Sequence, residues 1–427
     1  QMVHHDLFDY DDATPPALVD LTVKSKRVPA LVEVTKQGLM FILDRRTGKP
    51  VFGVEERPVP ASMIPGEYTS PTQPFPVKPP PLAKMGVTRA DLSTITPAVQ
   101  RYCTDLWNRL GLRDTLPYEP PRLNGPNLFS PSNIGGAGGV WGGVSIDART
   151  GTIFVNTSNV PSYNYIVPDD GKPANHTGGG FKVGQAYVKL LDQNGMPCIQ
   201  PPWGEMIAVN GNTGDIAWRR PLGSAEIYGD VGAHTGLVSM GGSLATAGGL
   251  LFIGDTSLGF GGARYDQPVL RAFDSRTGTE LWSVRMSGAD ESAPMSFMGK
   301  NGRQYVVVAA SGHPDADAAL IAFALPQPGD APVDLAPAPL PPLKLGSAPA
   351  QAATKAVMRV DDLPPGAGRD DVAKVCTGCH ALATATAQPR TVGGWATTIE
   401  EMRSRGAQMD DATAHRIADY LSAHFGL

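Results

Sequence analysis

Four segments of this 427-residue chain share one local template: "FILDRRTGKPVF" (41–52), "VSIDARTGTIFV" (144–155), "IAVNGNTGDIAW" (207–218) and "RAFDSRTGTELW" (271–282). Each runs from an apolar strand through Asp or Asn, two variable residues and Thr-Gly into a second apolar run. An Asp or Asn at the turn entry accepts local amide hydrogens, and Gly supplies positive φ, so each segment predicts a β-hairpin. Trp218 and Trp282 sit at the same offset, four residues after Gly214 and Gly278. The last two copies lie about sixty residues apart, room for one four-stranded repeat unit. Further strand-like runs lie between and after them, at 241–255, 304–312 and 319–325. A β-propeller accounts for this pattern. A β-sandwich would leave the repeated Trp unexplained.

Two segments interrupt the template. Residues 56–132 are proline-rich and carry a helix-like stretch at 88–110, with a break expected at Pro97. Residues 161–202 are a second Gly/Pro-rich excursion. Loops of this length in a compact domain are usually functional or disordered. A Pro/Ala-rich linker at 326–356 divides the propeller region (1–325) from a small region at 357–427 with helical periodicity. There Trp395, Ile399 and Met402 share one helical face. Ile417, Tyr420, Leu421 and His424 share another, behind an N-cap at Asp410 or Asp411.

The 49 glycines and 40 prolines agree with many short strands joined by turns. Net charge is −5, and no basic run carries interleaved aromatics, so nucleic-acid binding gains no support. No run of about eighteen apolar residues marks a membrane span.

Cysteine usage is informative. Cys103 and Cys198 would either pair in an oxidising compartment or stand as two buried thiols. Cys376, Cys379 and His380 form "CTGCH", the attachment signature of a c-type haem: two thioethers hold the porphyrin and the histidine ligates the iron. Neither a βαβ setting for a redox dithiol nor a second ligand pair for zinc accompanies it. The other axial ligand is Met402 or Met409, with His415 and His424 as lesser candidates. The small all-α region resembles class I cytochromes c, whose distal Met precedes the C-terminal helix by several residues; that placing favours Met402. Haem is attached outside the bacterial cytoplasm, so a periplasmic location is expected, with an export signal upstream of Gln1.

The first twelve residues, "QMVHHDLFDYDD", crowd His4, His5, Asp6, Asp9, Asp11 and Asp12 together. They read as a metal cluster, an acid/base site or a solvated rim loop. The segments "VHHDLFDYD", "TKQGLMFILDRRTGKPVFGVEERPVP", "SPTQPF", "GMPCIQPPWG", "LRAFDSRTGTELW" and "GRQYVVVAASGH" resemble the pyrroloquinoline quinone (PQQ) dehydrogenases, in order, from residue 1 to about 325. The glucose and quinate dehydrogenase branch is the most similar.

That resemblance implies part of an eight-bladed propeller, followed here by the cytochrome region. It makes Asp9 the catalytic base, with Phe8 in place of the family's usual Trp. It makes Lys36 the residue that binds the quinone oxygens. A carboxylate can take the substrate hydroxyl proton, and an ammonium stabilises charge developing on the reduced quinone. Asp266 and His313 correspond to a later active-site Asp and His, and Asn133 to a cofactor-site Asn; the spacing around Asp266 is shifted by about one residue. Most ligands of the Ca2+ or Mg2+ ion that accompanies PQQ belong to blades that would precede Asp9.

The expected activity is oxidation of a sugar, polyol or cyclic alcohol at PQQ. Electrons would pass to the haem c and on to a cytochrome, a copper protein or a ubiquinone chain. The chain alone is expected to be inactive. A propeller-cytochrome that only relays electrons is the alternative, but it would have no need for both Asp9 and Lys36.

Overall fold

The computed structural model describes residues 1–123, 125–132, 136–137, 141–168, 181–254, 268–286, 288–311, 319–328, 330, 360–377, 382, 386, 392–404 and 407–425. All four template copies form the same turn. The amide of Gly48, Gly151, Gly214 or Gly278 donates to the carbonyl of Asp44, Asp147, Asn210 or Asp274, over 2.7 to 2.9 Å. The entry side chain accepts the amide two residues on, at 2.9 to 3.0 Å. The four glycines have φ between 69° and 74°, left-handed values that a Cβ would penalise.

The turns lie within a run of antiparallel sheets. The first contains Ala17–Val23, Lys26–Val34 and Met40–Asp44, with an added bridge from Leu43 to Pro50. In the second, Asp215–Pro221, Gly204–Asn210 and Thr152–Ser158 lie in that order; Ser145–Asp147 and Gly136–Ala137 pair with the far side of Thr152–Ser158. The third orders Ser243–Ala245, Leu250–Gly254, Val269–Asp274 and Glu280–Arg285. In the fourth, Ala289–Asp290, Met295–Met298 and Ala319–Phe323 all pair with Gln304–Ser311.

Alternate residues of each strand face the neighbouring sheet. Leu21, Val32 and Ile42 of the first sheet meet Ile153, Val155 and Ile207 of the second. Phe154, Met206 and Trp218 meet Leu251, Ile253 and Phe273 of the third. Leu270 and Val284 meet Val308 of the fourth. The result is a series of sheets stacked face to face in chain order, as in a propeller.

The two excursions join each other. Pro126–Phe129 from the first pairs with Ser162–Pro168 from the second, which pairs in turn with Phe181–Lys189. Cys103 and Cys198, paired or free on sequence grounds, form a disulfide across a separation of 95 residues. Helix α1 (Pro97–Leu110) packs Val99, Leu106 and Trp107 into this shared core. Pro97 does not interrupt a helix; it begins one. Proline at the first helical position gives up an amide that has no intrahelical partner there anyway. Thr96 Oγ1 caps that end by accepting Val99 N–H at 3.2 Å. Arg89–Asp91 forms a separate 3-10 turn.

The C-terminal region builds its own core from α2 (Arg369–Cys376), α3 (Val392–Ser404) and α4 (Asp411–Phe425), around Val372, Trp395, Ile399, Ile417, Tyr420 and Leu421. Asp410 is the N-cap of α4, accepting Thr413 N–H at 2.8 Å.

Candidate functional site

Lys36 follows the strand Lys26–Val34 in a tight turn, where Gly38 N–H donates to Thr35 O and Thr35 N–H to Leu39 O. The turn buries Lys36, whose side chain is 9% exposed. Its ammonium donates to Asp9 O at 3.0 Å, approaches Asp9 Oδ2 at 3.4 Å and pairs closely with Asp11 Oδ1. The structure therefore brings together Asp9 and Lys36, which lie 27 residues apart in sequence. The side chain of Asp9 stays half exposed, within reach of a small molecule. Asp11 enters the sequence reading only as one of several ionisable residues in the opening segment. The available signal is its spacing, since residues i and i+2 of a non-helical segment tend to project to the same side.

Phe8 and Tyr10 are buried, and their rings pack on Tyr118 at centroid distances of 5.6 and 6.1 Å. Tyr10 Oη donates to Pro131 O at 2.9 Å. Between them Asp9 adopts φ 60°, a left-handed conformation unusual for a residue with a Cβ. Asp6 accepts the amides of both Phe8 and Tyr10. Partial burial pushes the Asp6 carboxyl above the usual range, against the lowering effect of those amides. Burial likewise raises Asp12 and Glu33.

The histidines take a different role. His4 Nε2 contacts Glu56 at 3.0 Å, and His5 Nε2 contacts Glu67 at 2.9 Å. The His5 ring stacks on Tyr68 at 3.7 Å. They tie the N-terminal segment to the hairpin of Val54–Pro58 with Thr72–Pro76 and to the loop it encloses. Among the described residues no group of three or more His, Cys, Asp or Glu is placed to hold a metal ion.

Asn133, Asp266, His313, Cys379 and His380 lie outside the described residues. Gly136, which closely follows Asn133, packs directly on Lys36: a Cβ there would stand 2.0 Å from Lys36 O. Gln37 is fully buried, and its Oε1 has no hydrogen-bond partner among the described residues. In the helical region Cys376 ends α2 beside the core, and burial pushes its thiol up to about 11. Met409 packs against the same core, while Met402 lies half-buried on α3. His415 and His424 are exposed, the latter against the Tyr420 ring at 4.6 Å. No described helix is long and apolar enough to cross a membrane.

Comparison with known proteins bears on this geometry. The model of the family described as "PQQ: Glucose/ethanol/alcohol dehydrogenase, beta-propeller domain" matches residues 1–306. The glycerol dehydrogenase large subunit of Gluconobacter thailandicus is 34% identical over 361 residues, covering 76% of this chain and 47% of that protein. The probable quinate dehydrogenase (quinone) of Xanthomonas campestris pv. juglandis is 33% identical, covering 76% and 43%. The quinoprotein glucose dehydrogenase of Escherichia coli (strain K12) is 30% identical, covering 73% and 40%. The chain thus spans less than half the length of these relatives. Among solved structures, the quinohemoprotein alcohol dehydrogenase ADHIIG of Pseudomonas putida HK5 shares the fold, with a TM-score of 0.50 at 17% identity. That likeness covers 98% of this chain and 55% of the other.

Proposed function

The chain belongs to the PQQ-dependent glucose/ethanol/alcohol dehydrogenase β-propeller family, and from that premise we propose that it is the C-terminal portion of a periplasmic quinohaemoprotein dehydrogenase. Its substrate is a sugar, polyol or cyclic alcohol. Cys376, Cys379 and His380 would hold a haem c, with Met402, or alternatively Met409, as a further ligand, and that group would supply one-electron transfer. The acceptor is a cytochrome, a copper protein or a ubiquinone chain. The observation that carries the catalytic part is the meeting of Asp9 with the buried Lys36.

The residues present suit the cofactor. Lys36 has three N–H donors. Asp9 O, Asp11 Oδ1 and, at 3.4 Å, Asp9 Oδ2 engage all three, and the last and longest of these contacts is the one that an incoming carbonyl oxygen would replace. PQQ, when bound, supplies the two-electron acceptor. The chain's own contribution is acid/base and electrostatic. Asp9 accepts the substrate hydroxyl proton as the adjacent C–H bond breaks. Lys36 orients Asp9 and places positive charge where negative charge develops. Asn133, Asp266 and His313 are assigned to the same site by the family resemblance.

The Cys103–Cys198 disulfide supports an oxidising compartment. The separate helical core against which Cys376 packs supports the haem assignment. Dye reduction by a panel of sugars and polyols tests the reading, using the full-length protein with added PQQ and a divalent metal. Unchanged turnover in Asp9→Asn overturns the base assignment. Retention of the native covalent haem spectrum in Cys376→Ala overturns the cytochrome assignment.

A further inference from the structure

We propose that Asp6 is the positioning residue of the proton-accepting segment: its carboxylate gathers the Phe8 and Tyr10 amides into one turn that holds Asp9 in the left-handed conformation beside Lys36. This rests on the reading of Asp9 as the base.

The two oxygens of Asp6 divide the work. Oδ1 accepts Phe8 N–H and Oδ2 accepts Tyr10 N–H, each at 2.8 Å. These amides bracket Asp9 on either side. A residue with a Cβ at φ 60° persists only where its surroundings over-determine it. Here the surroundings are the two captured amides and the anchored rings of Phe8 and Tyr10, fixed by Tyr118 and Pro131 O. Turning Asp9 back to negative φ would redirect its carbonyl and carboxylate, and Lys36 engages both. Asp6 therefore acts on the site through backbone conformation.

Asp6 is also separable from the core. The residue as a whole is exposed, so replacing it removes little packing, although its carboxyl sits against the chain it caps. That carboxyl titrates above the ordinary range because of partial burial, with a further rise from the Asp9 and Asp11 charges. A carboxylate shifted in that direction lends stability at low pH and loses it as pH rises through the shifted value.

The test uses the full-length holoenzyme. Asp6→Ala frees both amides, and kcat is expected to fall at least about tenfold while substrate KM changes less than about twofold. Asp6→Asn keeps one acceptor, and its kcat is expected to lie between those of the parent and Asp6→Ala. The thermal midpoint should fall by only a few degrees in Asp6→Ala, the cost of two lost amide hydrogen bonds at a side chain that packs little, and by less in Asp6→Asn. Hydrogen exchange at the Phe8 and Tyr10 amides should accelerate in Asp6→Ala. In an Asp9→Asn background, Asp6→Ala should cost nothing further. Parental kcat in Asp6→Ala, unchanged exchange at the two amides, or an equal loss on the Asp9→Asn background would each overturn the proposal. Full activity in Asp9→Asn alone would instead overturn the base assignment on which it depends.

Discussion

The indole of Trp218, in the second sheet, lies against Gly278 of the third: its Nε1 donates to Ser275 O at 3.1 Å, and a Cβ on Gly278 would come within 2.7 Å of the ring. The same relation joins the first sheet to the second, where a Cβ on Gly214 would stand 3.1 Å from the Phe52 ring. An aromatic four residues after the glycine of one hairpin thus covers the glycine of a hairpin in the next sheet. Gly278→Ala should both strain a residue at φ 69° and displace a large buried ring. The expected cost is about 3 kcal/mol, from a positive-φ penalty plus disrupted packing. Urea unfolding measures it. A loss below about 0.5 kcal/mol, the range of neutral surface changes, would show that the ring moves aside freely.

This relation also shows how much of the fold is legible. The hairpins can be read because turn chemistry is local: an entry Asp or Asn, then Thr, then Gly. The copy at 144–155 carries Val155 where Phe52, Trp218 and Trp282 stand in the others, and it differs in position too. It joins Ser145–Asp147 to Thr152–Ser158 at one edge of its sheet, while Trp218 belongs to the hairpin at the opposite edge. The residue at that offset therefore distinguishes two hairpin positions. The joining of the excursions is not legible, since it depends on Leu128 pairing with Tyr163 and on Cys103 bonding Cys198, both across long separations. At the candidate site, the family motifs point to Asp9 and Lys36, and the fold brings the two together. Asp11 and the capping by Asp6 emerge only with the segment's conformation, because nothing local in "FDYDD" says which carboxylate meets Lys36.

Removing the disulfide should weaken the excursion subdomain and spare the stacked sheets. Both cysteines are buried, and the bridge spans 95 residues of sequence. Cys103→Ser should cost about 2–5 kcal/mol, the usual range for loss of a native bridge. Limited proteolysis should then cut first within 88–132 or 161–202, where α1 and the segment around Cys198 share one core. Cleavage beginning instead within the first sheet would contradict this placement.

Acidification from pH 7 to about 5 should raise the thermal midpoint of the parent relative to that of an Asp12→Asn, Glu33→Gln double variant, a comparison that cancels the opposite contribution of the buried Lys189, whose pKa burial lowers. Asp6, Asp12 and Glu33 all have carboxyls raised above their ordinary values, in each case chiefly by burial. The stability such a group contributes is fully present below its unfolded pKa, near about 4, and is lost as pH rises through the higher folded value. Glu56, Glu67 and Asp91 are lowered, so their contributions are present above the unfolded value and fade only below about pH 4. Among the carboxyls, the raised groups therefore decide the sign between the two limits. Scanning calorimetry at both pH values checks it, and Asp12→Asn with Glu33→Gln should flatten the difference. The same pH dependence in the parent and the double variant would count against the assignment of these shifts.

Lys36→Met should weaken PQQ binding and lower turnover together. The substitution keeps much of the side-chain volume and removes the buried ammonium that Asp9 and Asp11 share. On the proposed reading the cofactor would lose a charge-assisted donor worth about 1.5–3 kcal/mol, so its dissociation constant should rise about tenfold to a hundredfold. Asp9 also loses the contact to its carbonyl at 3.0 Å, which leaves its orientation to the backbone turn alone. Lys36→Arg keeps the charge but replaces a compact ammonium with a longer planar fork, so it should restore affinity only in part. Titrating PQQ into the apo full-length protein and following quenching of tryptophan fluorescence separates binding from chemistry. An unchanged dissociation constant in Lys36→Met would remove Lys36 from the cofactor site, even if turnover fell.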